Sequence, residues 1–153
     1  MAKRQNIPLF VRLTTLAALI LSTGCSSFNH DWKAAAQKPA PAGDISGAWD
    51  GQWLSDANGH HGRLRCILTK KSEATYDAHF KARFWKIFSA SYTIPLELKP
   101  GTNGNYRLEG DRDLGKLAGG VYRYIGEATP TMFHSQYTNK YDHGTFEMKR
   151  PGS

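Results

Sequence analysis

From Tyr76 to Leu96 the chain alternates apolar and polar residues with a period of two, and this constrains its fold more than any other feature. Tyr76, Ala78, Phe80, Ala82 and Phe84 fall on one side of an extended chain, with Asp77, His79, Lys81 and Arg83 on the other. The pattern returns at Phe88, Ala90, Tyr92, Ile94 and Leu96. Successive side chains of a strand point to opposite faces, so these are two strands with one dry face and one wet face.

The alternation extends in both directions. Ile45, Gly47, Trp49, Gly51 and Trp53 share a face, and Leu64, Cys66 and Leu68 share another. Turn chemistry separates the segments: Asp56-Ala57-Asn58-Gly59 after the first, and Pro100-Gly101-Thr102-Asn103-Gly104 after the fourth. Tyr106, Leu108 and Gly110 form a further strand, ended by the charged loop Asp111-Arg112-Asp113, and residues 119–125, 132–137 and 145–150 complete the set. Four Trp, seven Tyr, seven Phe and 15 Gly suit pleated sheet joined by tight turns.

The expected fold class is therefore all-β. Residues 44–151 are read as a single antiparallel meander barrel of about eight strands, with a small β-sandwich as the alternative. Eight strands enclose an interior that side chains fill or that holds one small ligand. The candidate ligand-facing residues are Trp53, Tyr76, Phe80, Phe84, Phe88 and Tyr92, with the small Ala78, Ala82 and Ala90 leaving room between them. A simple packed core accounts for the same residues. Trp85-Lys86-Ile87 joins two strands without Gly or Asn, either as an exposed contact tip or as a bend that buries both apolar residues.

Ahead of the domain, Met1 to Arg12 is basic and Leu13 to Leu21 is an uncharged apolar run. That run is shorter than the roughly 20 residues of a membrane-spanning helix, and its order of basic, apolar and small residues is that of a secretory signal. Leu21-Ser22-Thr23-Gly24-Cys25 resembles the lipobox of bacterial lipoproteins, with Leu21 four places before the cysteine and Ser22 where Leu is usual. The resemblance implies cleavage after Gly24 and acylation of Cys25. Residues 1–24 would be a signal peptide and 25–43 the lipidated cysteine with a flexible tether rich in Pro and Ala, through Ala34-Ala35-Ala36 and Lys38-Pro39-Ala40-Pro41-Ala42-Gly43. Phe28 and Trp32 in that tether suit either a membrane interface or the domain. An ordinary signal peptide cut nearby is the alternative. The implied location is the cell envelope, and Ser26 rather than Asp after the cysteine favours an outer membrane where the host has one.

Gly47-Ala48-Trp49 at the first strand and Arg150 after the last are similar to the calycin superfamily of lipocalins and fatty-acid-binding proteins. In that superfamily a Gly-x-Trp opens the barrel and a basic residue packs across the Trp. The resemblance implies that Gly47, Trp49 and Arg150 are structural closure residues. It does not extend to the middle of the domain.

Little in the chain suggests catalysis. His60 and His61 are adjacent in a loop, and neighbouring side chains of an extended segment point apart, which is awkward for one metal. Cys66 lies among inward Leu64 and Leu68, where a thiol is inert. Gly115, Gly119 and Gly120 precede no helical pattern and so make no phosphate cradle. No metal or cofactor is called for. Loss of Lys3, Arg4 and Arg12 with the leader lowers the formal charge from +7 to +4, too modest to demand nucleic acid. Arg63, Arg65, Lys70, Lys71, Lys81, Arg83 and Lys86 map to outward positions as a solvated face, suited to weak contact with anionic lipid.

The expected function is a membrane-anchored, non-enzymatic binding module, its partners the membrane through Cys25 and a small apolar or amphipathic ligand. The alternative is a protein-interaction, inhibitor or envelope-structural module that uses the barrel exterior toward an envelope protein. Ala118-Gly119-Gly120-Val121-Tyr122 resembles the Ser-Gly-x-x-Tyr loop of small lipoprotein lysozyme inhibitors, with Ala118 in place of the Ser.

Overall fold

The computed structural model describes residues 27–84, 88–102, 104–115 and 120–152. The leader, Cys25 and the Trp85–Ile87 segment lie outside them, as do Lys86, Ala118 and Gly119. Eight strands follow one another: β1 (Gly47–Ser55), β2 (His61–Lys70), β3 (Thr75–Phe84), β4 (Phe88–Pro100), β5 (Tyr106–Asp113), β6 (Val121–Ala128), β7 (Met132–Thr138) and β8 (His143–Lys149). Each pairs antiparallel with the next, and β1 pairs with β8 from Asp50↔Lys149 to Ser55↔Gly144. The result is a closed meander barrel, as the alternation implies, and not a sandwich. Closure leaves no pair of free sheet edges, the usual hazard of short antiparallel sheets.

The two ends of the barrel differ. At the end where β1 begins, residues 43–46 fold across the opening and bury Ile45 completely. Trp49, also fully buried, donates its indole N–H to Ile45 O at 2.9 Å. The Arg150 guanidinium lies 4.2 Å from the centre of the Trp49 ring. It also donates to four carbonyls: Pro130 O (2.8 Å), Ser46 O (2.9 Å), Asp44 O (3.1 Å) and Ala48 O (3.4 Å). Gly47 makes the bend from this plug into β1 at φ 107°, and a Cβ there would sit 3.2 Å from Arg150 Nη1. Only glycine combines that backbone with that clearance. One side chain thus ties the plug, β1 and the β6–β7 turn together.

Asp44 completes the plug. It accepts from the Ser46 amide and the Tyr76 hydroxyl, and Lys70 lies within ion-pair distance. Burial pulls its carboxyl upward, but those two hydrogen bonds and the Lys70 charge outweigh it and hold the group below the ordinary carboxylate value.

The segment read as a flexible tether is different. Residues 27–36 form a helix, α1, docked on the outside of β1–β3. Phe28 and Trp32, one turn apart, are both buried there, with Ala35, Ala36, Ala48 and Ile67 around them. Trp32 donates its indole N–H to Trp49 O at 3.0 Å, and Phe28 meets His79 edge-on at 4.8 Å. Two of the cations expected on a solvated face lie under this helix. The Arg65 guanidinium stands over Phe28 and Trp32, Lys81 stands over Phe28, and both donate to Asn29 Oδ1. Arg63 is paired with Asp50 and Lys71 with Asp77, which further neutralises the basic face.

Two measurements test this end of the molecule. Arg150→Ala should lower stability by about 2–4 kcal/mol, because it strips the indole stack and leaves buried carbonyls unpaired. The urea midpoint should fall accordingly, and Arg150→Lys should restore less than half of the loss. A depressed carboxyl stabilises above its unfolded value and loses that effect as pH falls through its folded value. The stability advantage of the native chain over Asp44→Asn should therefore hold from pH 7 down to about 4 and shrink below it.

Candidate functional site

Period two sorts side chains inward and outward, and volume then decides whether the inside is solid. In the plugged half it is solid. Trp49, Leu68, Tyr76, Ala78, Leu98, Leu108, Phe133 and Met148 are buried against one another and Ile45. In the other half the inward positions include Ala82 and Ala90, which face each other across β3 and β4, and Gly126 and Ser135, which face each other across β6 and β7. With the small side chains of Ala82, Ala90 and Ser135 on its wall, this half encloses a cavity of about 460 Å³.

Aromatic rings form most of the wall. Phe80 lies 5.6 Å from Tyr92 and 5.9 Å from Phe146, Tyr137 lies 4.9 Å from Phe146, and Trp53 lies 5.1 Å from Phe84. The Trp53 indole crosses above Gly62 and donates to Arg83 O at 3.0 Å, in space that a Cβ on Gly62 would occupy. Ala90 points inward yet is exposed, so the cavity reaches solvent beside it.

Of the six residues singled out as ligand-facing, Trp53, Phe80, Phe84 and Tyr92 line this cavity. Tyr76 does not. It is fully buried in the solid half, where its ring packs on Tyr106 and its hydroxyl meets Asp44. Phe88 is 58% exposed and pairs with Phe84 at the end of the β3–β4 hairpin. Leu114, Tyr122, Tyr124, Tyr137 and Ser135 line the cavity without having been singled out.

The wall has a weak seam. β4 and β5 pair only at Leu98↔Leu108, Lys99↔Arg107 and Pro100↔Tyr106, whereas every other pair of neighbours shares six or more positions. Above Leu98 the two strands diverge, and two side chains span them. Arg112, expected in a loop, is the inward residue of a β5 that runs on to Asp113. Its Nε donates to Pro95 O at 3.1 Å, its Nη2 to Glu97 Oε1 at 2.9 Å and its Nη1 to Asp111 O at 2.9 Å. The Glu97 amide donates to Tyr124 Oη at 3.4 Å, and Tyr124 fits there because Gly110 opposite has no side chain.

The polar groups on the cavity wall are few. Asp142 accepts from the Ser55 and Tyr137 hydroxyls and from the His143 amide. Burial, followed by the nearby Asp142 charge, pushes the Tyr122 phenol up, and burial does the same to Tyr92 and Tyr137, so all three stay neutral at physiological pH. Ser135, 4% exposed, Ser91, Tyr92 and Tyr124 add further hydroxyls.

The remaining candidates for chemistry lie elsewhere. His60 and His61 are exposed at the β1–β2 turn, and among the described residues no three potential metal ligands converge. Cys66 is fully buried on the inward face of β2, and burial raises its thiol well above the ordinary value. A thiol in that state is a poor nucleophile. In a Cys25→Ser chain, a thiol reagent should label Cys66 only as fast as the barrel opens, with labelling complete within minutes once urea unfolds it. Rapid labelling of the folded chain would contradict the burial.

Compared with protein-family models, with curated proteins and with solved structures, the chain finds no match in any of the three.

Proposed function

We propose that this chain is a cell-envelope lipoprotein, held to a membrane by acyl chains on Cys25, whose barrel binds a small apolar or amphipathic molecule without catalysis. The observation that carries the reading is the half-hollow interior. The cavity of about 460 Å³ lies in the usual range for small-molecule sites, about 300–1,000 Å³, and its wall is aromatic with a few polar groups. An aromatic wall rewards apolar contact, since each ring removed from water contributes through its buried area. The stack of Arg150 on Trp49, with Gly47 beside it, supports a calycin-type barrel, in which such an interior is a binding site. The leader and Leu21-Ser22-Thr23-Gly24-Cys25 support the address.

Two experiments test the two halves of this reading. The Cys25→Ser chain should take up one N-phenyl-1-naphthylamine per molecule with enhanced fluorescence, and Ala90→Trp should block uptake by filling the space beside Phe84 and Tyr92. Because Ala90 is exposed, that variant should keep its stability to within about 0.5 kcal/mol. Undiminished uptake in the filled variant, or none in either, would sink the binding role. Cells fed labelled palmitate should incorporate it into the native chain and not into Cys25→Ala, and equal labelling of the two would sink the anchor.

A further inference from the structure

The cavity wall shows which kind of molecule it suits, and this step rests on the binding reading above. Charged groups on the wall are already engaged. Arg112 spends its Nε, Nη1 and Nη2 on Pro95 O, Asp111 O and Glu97 Oε1. Asp142 receives both Ser55 and Tyr137 hydroxyls and a backbone amide. A carboxylate ligand would have to compete with Glu97 for the Arg112 charge, and an ammonium ligand with the Ser55, Tyr137 and His143 donors for Asp142. An ion entering this wall without either exchange would lose its hydration unrequited.

Two neutral groups are different. Ser135 is 4% exposed, and neither its hydroxyl nor that of Tyr92 has a hydrogen-bond partner among the described residues. Both side chains line the cavity, one from β7 and one from β4. Each hydroxyl can donate or accept. Elsewhere the interior hydroxyls are engaged: Ser55 and Tyr137 on Asp142, Tyr76 on Asp44, Tyr106 on Gly43 O, Ser91 on Phe80 O and Tyr122 at Asn139. Since no buried side-chain nitrogen or oxygen among the described residues lacks a partner, both hydroxyls open onto the cavity, where an entering molecule can meet them.

We propose that the cavity selects an uncharged amphiphile, an apolar chain or ring bearing a carbonyl or hydroxyl oxygen that hydrogen-bonds to Ser135 Oγ and Tyr92 Oη. The apolar body lies among Phe80, Phe84, Tyr137 and Phe146, and the oxygen is held between the β4 and β7 walls. Selection against ions follows from the engaged state of Arg112 and Asp142, not from any like charge on the wall.

The test uses the full chain with Cys25→Ser, so that no acyl chain competes for the cavity, and reads displacement of bound N-phenyl-1-naphthylamine at pH 7. Competitors share a ten-carbon body: decane, 1-decanol, 2-decanone, decanoate and decylammonium. Decanol and decanone should displace the probe at lower concentrations than either ion. Ser135→Ala and Tyr92→Phe should each weaken decanol by about threefold to tenfold and leave decane unchanged, since a single neutral hydrogen bond is at stake. Decanoate or decylammonium binding as tightly as decanol would overturn the proposal. So would equal affinity for decanol in the native chain and both variants. Failure of the probe itself to enter would instead remove the binding role, and the proposal with it.

Discussion

The barrel depends on its first strand meeting its last. The β1–β8 ladder turns seven local hairpin pairings into one closed wall, and it is the pairing with the greatest separation along the chain. Sequence-local hairpins assemble cheaply, but joining residues a hundred positions apart carries the loop-closure cost of the whole domain. Arg150 sits where that cost is met. Its stack on Trp49 and its bonds to Asp44, Ser46, Ala48 and Pro130 join the plug before β1, β1 itself and the turn between β6 and β7. Because those partners already include the plug, closing the wall and sealing one end are a single event.

Sealing one end allows the other half to stay hollow. The solid half supplies apolar burial around Trp49, Leu108 and Phe133, and the upper half keeps the small residues Ala82, Ala90 and Ser135 on the cavity wall. The β4–β5 seam belongs to the same division of labour. The three paired positions lie next to the solid half, and the diverging stretch borders the cavity, where Arg112 and Tyr124 replace backbone pairing with side-chain contacts. Side-chain bridges open at lower cost than a continuous ladder, so the seam is the part of the wall with the lowest resistance to local opening.

Alternation in the sequence pointed to sequential strands and their inward face, because one face of every strand has to be dry, while the choice of barrel over sandwich rested on short connections and edge closure. Height along the barrel was not legible. Tyr76 and Phe84 share a face but stand eight residues apart, roughly 26 Å of strand, so they lie at opposite ends of the interior. Which of them reaches a cavity depends on register and tilt, which period two does not encode. Arg112 was hidden for a related reason. Asp111-Arg112-Asp113 has the composition of a loop, yet continuing the alternation from Leu108 and Gly110 puts Arg112 inside. Helix α1 carried a usable signal in Phe28 and Trp32 at a spacing of four, followed by three alanines, but the Pro-rich stretch after it dominated the segment's composition. Its docking also needs a partner surface, the Arg65 and Lys81 stripe, which exists only once β2 and β3 have paired.

The docked helix changes how far this domain could travel from a membrane. Nineteen residues from Cys25 to Gly43, fully extended, would reach about 60 Å or more and let the barrel sweep a wide volume. With residues 27–36 fixed to the barrel wall, only Ser26 separates the proposed acylation site from a surface of the folded domain. If Cys25 carries acyl chains as proposed, so short a leash would hold the domain at the lipid headgroups with one side toward them. Exchange of cargo would then take place at the bilayer surface itself, without a swing into the surrounding fluid.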